Sequence, residues 1–446
     1  MGIFKAYDIR GLYPSEIDEK QAKAIAEAFV VYLGAKRILI GRDMRTHSPS
    51  LAEAAVEGAL SVGADVVDVG LVTTPMSYFG VGKLGLDGGL MVTASHNPGK
   101  YNGFKLCREG AGPISGDKGL PEIEAMSKAG VPASAKRGTR AVLDLKSGYV
   151  AHVVGLAGKG RALTVAVDGG NGMGGPFALE ILQKLGHRAE AIYCDPDGRF
   201  PNHEANPLKA ENLRDLQALM KRTGAGVGVA FDGDADRAIF VDEKGEAVPN
   251  DLLTALLAPS VLKRHPGAAI VYDLRSTWAV REEIEKAGGV PVRERVGHSF
   301  IKATMRQRKS PFGGELSGHT YWAENYTADS AMIAMVRVIG LLQETGRPLS
   351  GLVRPLQRYA GTGEVNFVVS DKDAKIREVE KAFADGRVDF LDGITVEYPD
   401  WWFNVRKSNT EPLLRLCLEA RTPNLKEKGL KRVLAVLGEP EKSAHS

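Results

Sequence analysis

The sequence predicts an α/β protein assembled from several units in series. Apolar strand-like runs alternate with amphipathic helical stretches through most of the chain, the pattern of a largely parallel sheet covered by helices on both faces. At 446 residues the chain exceeds what one hydrophobic core serves, so about three domains are expected. From about Gly361 the alternation gives way to a strand, a helix and short strands, as in a smaller α+β unit.

Composition narrows the function. The 43% apolar and 25% charged content is that of a soluble globular enzyme. A net charge of +3, from 58 basic and 55 acidic residues, is too small for a general nucleic-acid or membrane-surface role. Cys107, Cys194 and Cys417 lie far apart without a CxxC pair, which suits a reducing cytoplasm better than a disulfide framework. The N-terminal stretch has no signal-peptide apolar region and no myristoylation pattern, and no apolar run is long enough to span a bilayer. A soluble cytoplasmic protein is therefore expected.

In chain order, Phe4–Gly11 is an extended stretch carrying Lys5, Tyr7 and Arg10. A helix follows from about Asp18 to Leu33, with Ile25, Phe29 and Tyr32 on one face and Gly34 as its stop. Arg37–Gly41 reads as a strand ending in Arg42-Asp-Met-Arg45. A helix near Ser48–Val62 and a strand at Asp65–Val69 continue the alternation. The strand Gly89–Val92 runs into Thr93-Ala-Ser-His-Asn-Pro98, closed by Gly99. A loop leaving the carboxyl end of a strand in such a sheet faces the ligand crevice. Ser95 is expected at its tip, a hydroxyl nucleophile beside His96 and Asn97, with Lys105 a few residues on.

A boundary is expected near Asp144, after the loop Gly130–Lys136. The strand Leu163–Val167 then enters Asp168-Gly-Gly-Asn-Gly-Met-Gly-Gly175, where Gly170, Gly172 and Gly175 fit G-x-G-x-x-G and Asp195 stands where a ribose-binding acid would. Nothing else suggests nicotinamide chemistry, so a tight glycine turn is the preferred reading. Val227–Phe231 is a strand running into Asp232-Gly-Asp-Ala-Asp-Arg237, whose three carboxylates at alternate positions can converge on one divalent cation. Arg237 stands where an EF-hand needs glycine, and the flanks read as strands, so an EF-hand is excluded.

A third unit starts near Asn250. Its strand Ala269–Tyr272 leads into Asp273-Leu-Arg275, Pro291–Arg295 is a further strand, and Gly297-His298 opens a helix. The loop Gly313–His319 puts Glu315, Ser317 and His319 at alternate positions among glycines, suited to a polyhydroxy ligand or to a plain turn. An apolar helix from Asp329 to about Thr345 closes the unit. In the last unit, Arg406-Lys-Ser-Asn-Thr-Glu-Pro412 offers cations, hydroxyls, an amide and turn N–H groups, a plausible phosphate cradle. The tail after Pro440 is expected to be disordered.

Taken together and in order, Lys-Ala-Tyr-Asp-Ile-Arg-Gly11, the Ser95 loop, Asp232–Arg237, Gly-Glu-Leu-Ser-Gly-His319 and Arg406–Pro412 resemble the α-D-phosphohexomutase superfamily over nearly the whole chain. The Gly314–His319 form looks most like the phosphomannomutase/phosphoglucomutase branch. The resemblance implies three related mixed-sheet α/β domains (1–143, 144–246 and 247–358) and a smaller C-terminal α+β domain (359–446) around a central cleft. It implies that Ser95 is the phosphoserine and that Asp232, Asp234 and Asp236 hold Mg2+ together with the Ser95 phosphate. Glu315 and Ser317 would bind sugar hydroxyls. Arg406, Ser408, Asn409 and Thr410, helped by Tyr7, would grip the non-reacting phosphate. Arg10, His96, Asn97, Lys105 and Arg237 would line the transfer site, with Lys105 and His319 as proton-transfer groups and His298 as a further cleft histidine. Arg275 departs from the pattern, since bacterial relatives of the bifunctional type often carry lysine there. The expected reaction is interconversion of hexose 1-phosphate and 6-phosphate, of mannose or glucose, through a hexose 1,6-bisphosphate. Phosphoglucosamine mutase is the alternative, and the expected state is a monomer or small homo-oligomer.

Overall fold

The computed structural model describes residues 2–116, 119–408 and 413–441. Four sheets follow one another along the chain. In the first, Arg37–Arg42 lies parallel to Asp65–Leu71 and to Gly88–Val92, while Tyr101–Arg108 is antiparallel to Gly88–Val92 and pairs with Ile9–Leu12. The second sets Thr164–Asp168 between Arg188–Ile192 and Val227–Phe231, all parallel, with Ala238–Asp242 antiparallel at the edge. The third centres on Ala269–Asp273, parallel to Val290–Glu294 and Phe312–Gly314, and continues antiparallel through Thr320–Trp322. The α/β class and mixed sheets of the sequence reading are thus observed. The fourth sheet is antiparallel throughout, in the order Ala360–Phe367, Leu414–Ala420, Trp401–Lys407, Ile394–Glu397, Arg387–Asp389.

Local chemistry fixes the element ends. Asp18 caps the helix Glu19–Leu33 by accepting from the Gln21 N–H, in a reciprocal capping box, and Gly34 ends it in the left-handed region. The expected helix at Asp329 begins two residues later. Ala328–Asp329 is a short strand, and Ser330 caps Ala331–Thr345 through the Ile333 N–H.

Leu39, Val165, Ile270 and Ile333 belong to one continuous apolar cluster that joins the first three sheets and their helices. The fourth sheet has a core of its own, built of Phe367, Phe383, Phe403, Leu414 and Leu416. The lobe is tied to the third unit by polar contacts. The Trp278 indole donates to Glu397 at 3.0 Å, and Arg293 pairs with Asp389. Glu419 accepts from the Trp278 N–H at 2.9 Å and from the Trp402 indole at 3.0 Å. No helix among the described residues is long and apolar enough to cross a membrane.

Candidate active site

A cleft of about 840 Å³ lies where the four units meet. Its lining includes Tyr7, Arg10, His96, Asn97, Lys105, Asp236, Arg237, Arg275, His298, Glu315, Ser317, His319 and Arg406, so residues of all four units line it, those of the fourth from strands. Asn409 and Thr410 lie outside the described residues, as does the chain after Glu441. Ser408 follows the strand Trp401–Lys407, and its N–H donates to the Leu413 carbonyl at 2.9 Å.

Ser95 is not at an exposed tip. It is fully buried, in the left-handed region at φ 51°, and its Oγ donates to Asp232 Oδ2 at 2.9 Å. The two loops interlock because the second is glycine where they touch. A Cβ on Gly233 would stand 2.4 Å from the Ser95 carbonyl oxygen. The glycine turn of the second unit serves the same packing. A Cβ on Gly172 would meet the Gly233 carbonyl at 2.8 Å, and the Met173 N–H donates to that carbonyl at 2.8 Å. Gly172 thus backs the acidic loop, while a Cβ on Gly175 would stand 2.6 Å from the Cys194 Cα, so packing requires both glycines.

Asp232, Asp234 and Asp236 are buried, each offering a carboxylate oxygen within 4.8 Å of the others'. Asp232 Oδ1 takes the backbone N–H groups of Asp236 at 3.1 Å and Arg237 at 3.2 Å, curling the loop on itself. Buried Asp234 Oδ1 and Asp236 Oδ1 accept no hydrogen bond from the described residues. Three hard oxygen donors, two of them with unfilled acceptor capacity, fit a divalent cation. The crowding also has an electrostatic mark: burial, with the charges of Asp236 and Asp234, pushes the Asp232 carboxyl well above its usual range. Lys105 Nζ donates to Asp234 Oδ2 at 2.7 Å and to Asp236 Oδ2. Burial alone would lower its pKa, but the two aspartates outweigh it and hold the ammonium charged.

The histidines differ sharply. His96 and His298 are held well below the ordinary imidazole value by burial, reinforced at His96 by Arg237 and at His298 by Lys302. His319 is also buried, yet Asp236, 3.4 Å from Nε2, and Glu315, 3.3 Å from Nδ1, raise it to about 9. Arg10 Nε donates to Asp8 Oδ2 at 2.8 Å and Nη1 to Asn97 Oδ1 at 2.5 Å, which ties the N-terminal stretch to the serine loop. The Tyr7 hydroxyl donates to the Val296 carbonyl at 2.9 Å, and its ring lies 5.4 Å from that of His298.

At the other end of the cleft, one carboxylate organises three arginines. Glu364 accepts from Arg406 at 2.6 Å, from Arg415 at 2.7 Å and from Arg275 at 3.1 Å. Arg275 is further held by Asp273, with both carboxylate oxygens 3.0 Å from its Nε. The arginine that departs from the expected lysine is therefore a strut between the third and fourth units. Sequence reasoning missed Glu364 and Arg415. It also missed Thr74, whose hydroxyl donates to Asp234 Oδ2 at 2.6 Å, and Tyr321, which donates to Glu315 Oε2 at 2.6 Å. The local signal for Arg415 is the strand register that sets it opposite Arg406, and that register requires knowing which strands pair.

Models of phosphoglucomutase/phosphomannomutase α/β/α domains I, II and III match residues 1–131, 133–245 and 249–359, and the C-terminal domain model matches 364–436. A phosphomannomutase of Salmonella montevideo is 41% identical over 94% of each chain. A phosphoglucomutase of Neisseria gonorrhoeae is 36% identical over 98% of this chain and 96% of its own. The crystal structure of a phosphoglucomutase/phosphomannomutase family protein from Burkholderia thailandensis superposes with a TM-score of 0.91, at 35% identity and 98% coverage of each chain.

Proposed function

The chain belongs to the phosphoglucomutase/phosphomannomutase family of isomerases, and we propose that it interconverts hexose 1-phosphate and hexose 6-phosphate, of mannose or glucose, through a phosphoserine at Ser95. The observation that carries this reading is the Ser95 hydroxyl placed 2.9 Å from Asp232 by two loops from different sheets, directly behind His96 in the wall of a cleft lined also by Arg10, Lys105 and Arg237.

In the forward half, a free hydroxyl of the sugar phosphate attacks phosphorus on phospho-Ser95. The new sugar O–P bond forms as the Ser95 Oγ–P bond breaks; the attacking hydroxyl gives up one proton and the released Ser95 Oγ takes one up, so the site's protonation is restored over the step. The 1,6-bisphosphate turns end for end and returns its other phosphate to Ser95. Such transfer depends on positioning and charge stabilisation. Lys105, held charged, suits stabilisation of the transferring group rather than a base. His319, with its pKa near 9, holds a proton it can give to the departing oxygen. Asp232, Asp234 and Asp236 are the residues that would hold Mg2+, which when bound offsets negative charge on the transferring phosphoryl group. Arg406 and Ser408, with Asn409, Thr410 and Tyr7, grip the phosphate that is not reacting, while Glu315 and Ser317 take sugar hydroxyls. His298, held neutral, suits a hydrogen bond more than a charge contact.

Coupled assays with mannose 1-phosphate, glucose 1-phosphate and glucosamine 1-phosphate test the reading. Turnover of the first two with magnesium is expected. Turnover of the glucosamine phosphate alone replaces it with the phosphoglucosamine mutase alternative.

A further inference from the structure

Arg45 is fully buried in the loop between the strand Arg37–Arg42 and the helix Ser48–Ser61, and it does not itself line the cleft. Its guanidinium is spread over the serine loop. Nη1 donates to the carbonyls of Pro98 at 2.8 Å and Tyr101 at 3.0 Å, and Nη2 to those of Ser95 at 2.8 Å and Asn97 at 2.5 Å. On its other side, Nε lies 3.2 Å from Asp43 Oδ2. Asp43 in turn takes the Arg45 N–H at 3.0 Å and the Ser48 hydroxyl at 2.6 Å. The Phe200 ring, from the second unit, lies 5.1 Å from the guanidinium carbon. His47 adds Nε2 at 3.0 Å from the Gly99 carbonyl.

A buried guanidinium is costly unless its charge is paired and its donors are filled. Here the fork is filled by four carbonyls of one short segment, a geometry that an ammonium point charge cannot reproduce. That segment needs holding. Ser95 sits in the left-handed region, unfavourable for a residue with a Cβ, and its carbonyl is the one that Gly233 approaches from the acidic loop. We propose that Arg45 is a positioning residue for phosphoryl transfer, fixing the Ser95 backbone so that Oγ keeps one place against Asp232. The inference rests on the reading of Ser95 as the phosphorylated residue. It adds why a loop that must release and recover a phosphate in each cycle does not drift between the two events.

Arg45→Lys keeps the charge and removes the fork. Expected is a fall in kcat of about a hundredfold, the scale of a reacting atom displaced by about 1 Å, with KM for hexose 1-phosphate within about twofold of wild type. A folded Arg45→Lys enzyme with wild-type kcat, or with its loss carried mainly in KM, overturns the proposal. Should that variant not fold, Asp43→Asn keeps the guanidinium and weakens its anchor. A kcat about tenfold lower supports the proposal and an unchanged kcat overturns it. Ser95→Ala, measured alongside, separates the two claims. An active Ser95→Ala enzyme refutes the reading of Ser95, whereas an inactive one beside an unimpaired Arg45→Lys enzyme refutes only the role of Arg45.

Discussion

The two ends of the cleft are built on different principles. The transfer end joins the first and second units, which share one apolar core, and its polar groups are buried with several partners each. Ser95, Asp232 and Asp234 are all fully buried. The grip end belongs to a lobe with a separate core, tied to the third unit by ion pairs and hydrogen bonds such as Arg293 with Asp389 and Trp278 with Glu419. Packed cores resist small displacements, whereas polar interfaces between units permit them. The two ends therefore suit different tasks. On the proposed function, one end keeps its geometry for chemistry and the other adjusts to hold either phosphate of the substrate.

If that division is right, damage at the two ends differs in kind as well as size. Asp234→Asn removes one charge from the acidic triad and keeps its shape. Activity should fall about a hundredfold or more, with added magnesium restoring only part, and a wild-type enzyme fully active after chelation of divalent ions contradicts the metal role. Arg406→Ala strikes the grip. A loss in kcat/KM of about 2 kcal/mol or more is expected, shared between kcat and KM and equal in proportion for mannose 1-phosphate and glucose 1-phosphate. A loss confined to one sugar means that Arg406 reads the sugar. Glu364→Gln removes the carboxylate that competes with phosphate for Arg406 and Arg415, so KM should fall about two- to fivefold, and a rise counts against that competition.

The smallest effect lies behind the transfer end. His203 Nε2 is 3.1 Å from Asp168 Oδ2; burial lowers the imidazole pKa, but the aspartate outweighs it and the value is raised. A raised folded value stabilises the protein fully below the unfolded pKa of about 6.5 and is lost as pH rises through the folded value. His203→Gln should therefore cost about 1 kcal/mol or less in denaturant unfolding at acidic pH, and the deficit should shrink as pH rises. A deficit that grows with pH contradicts the pairing.

The sequence made the short-range features of this molecule visible. Asp232, Asp234 and Asp236 sit at alternate positions in one loop, so their convergence needs only that the loop curl. The glycine stretch Gly170–Gly175 reads as a tight turn, and the pattern alone is ambiguous because a close backbone approach demands glycine whether the neighbour is a pyrophosphate or, as at Gly172, the Gly233 carbonyl. Burial of Ser95 escaped notice because it is imposed by the acidic loop of another unit. Arg45 was visible only as the end of a strand, since its four acceptors lie 50 to 56 residues away, and Glu364 serves arginines 42 to 89 residues distant. Contacts of that range follow from strand order and unit packing, which no local pattern encodes.

In the proposed cycle phosphate passes through Ser95, and mass spectrometry of the enzyme can follow it there. Incubated with magnesium and a hexose 1,6-bisphosphate carrying isotopically labelled phosphate, then digested, the protein should carry label on the peptide containing Ser95. The label should be chased onto sugar by unlabelled hexose 1-phosphate at the rate of turnover. Label on a different residue, or none on Ser95 while the enzyme turns over, would contradict the account.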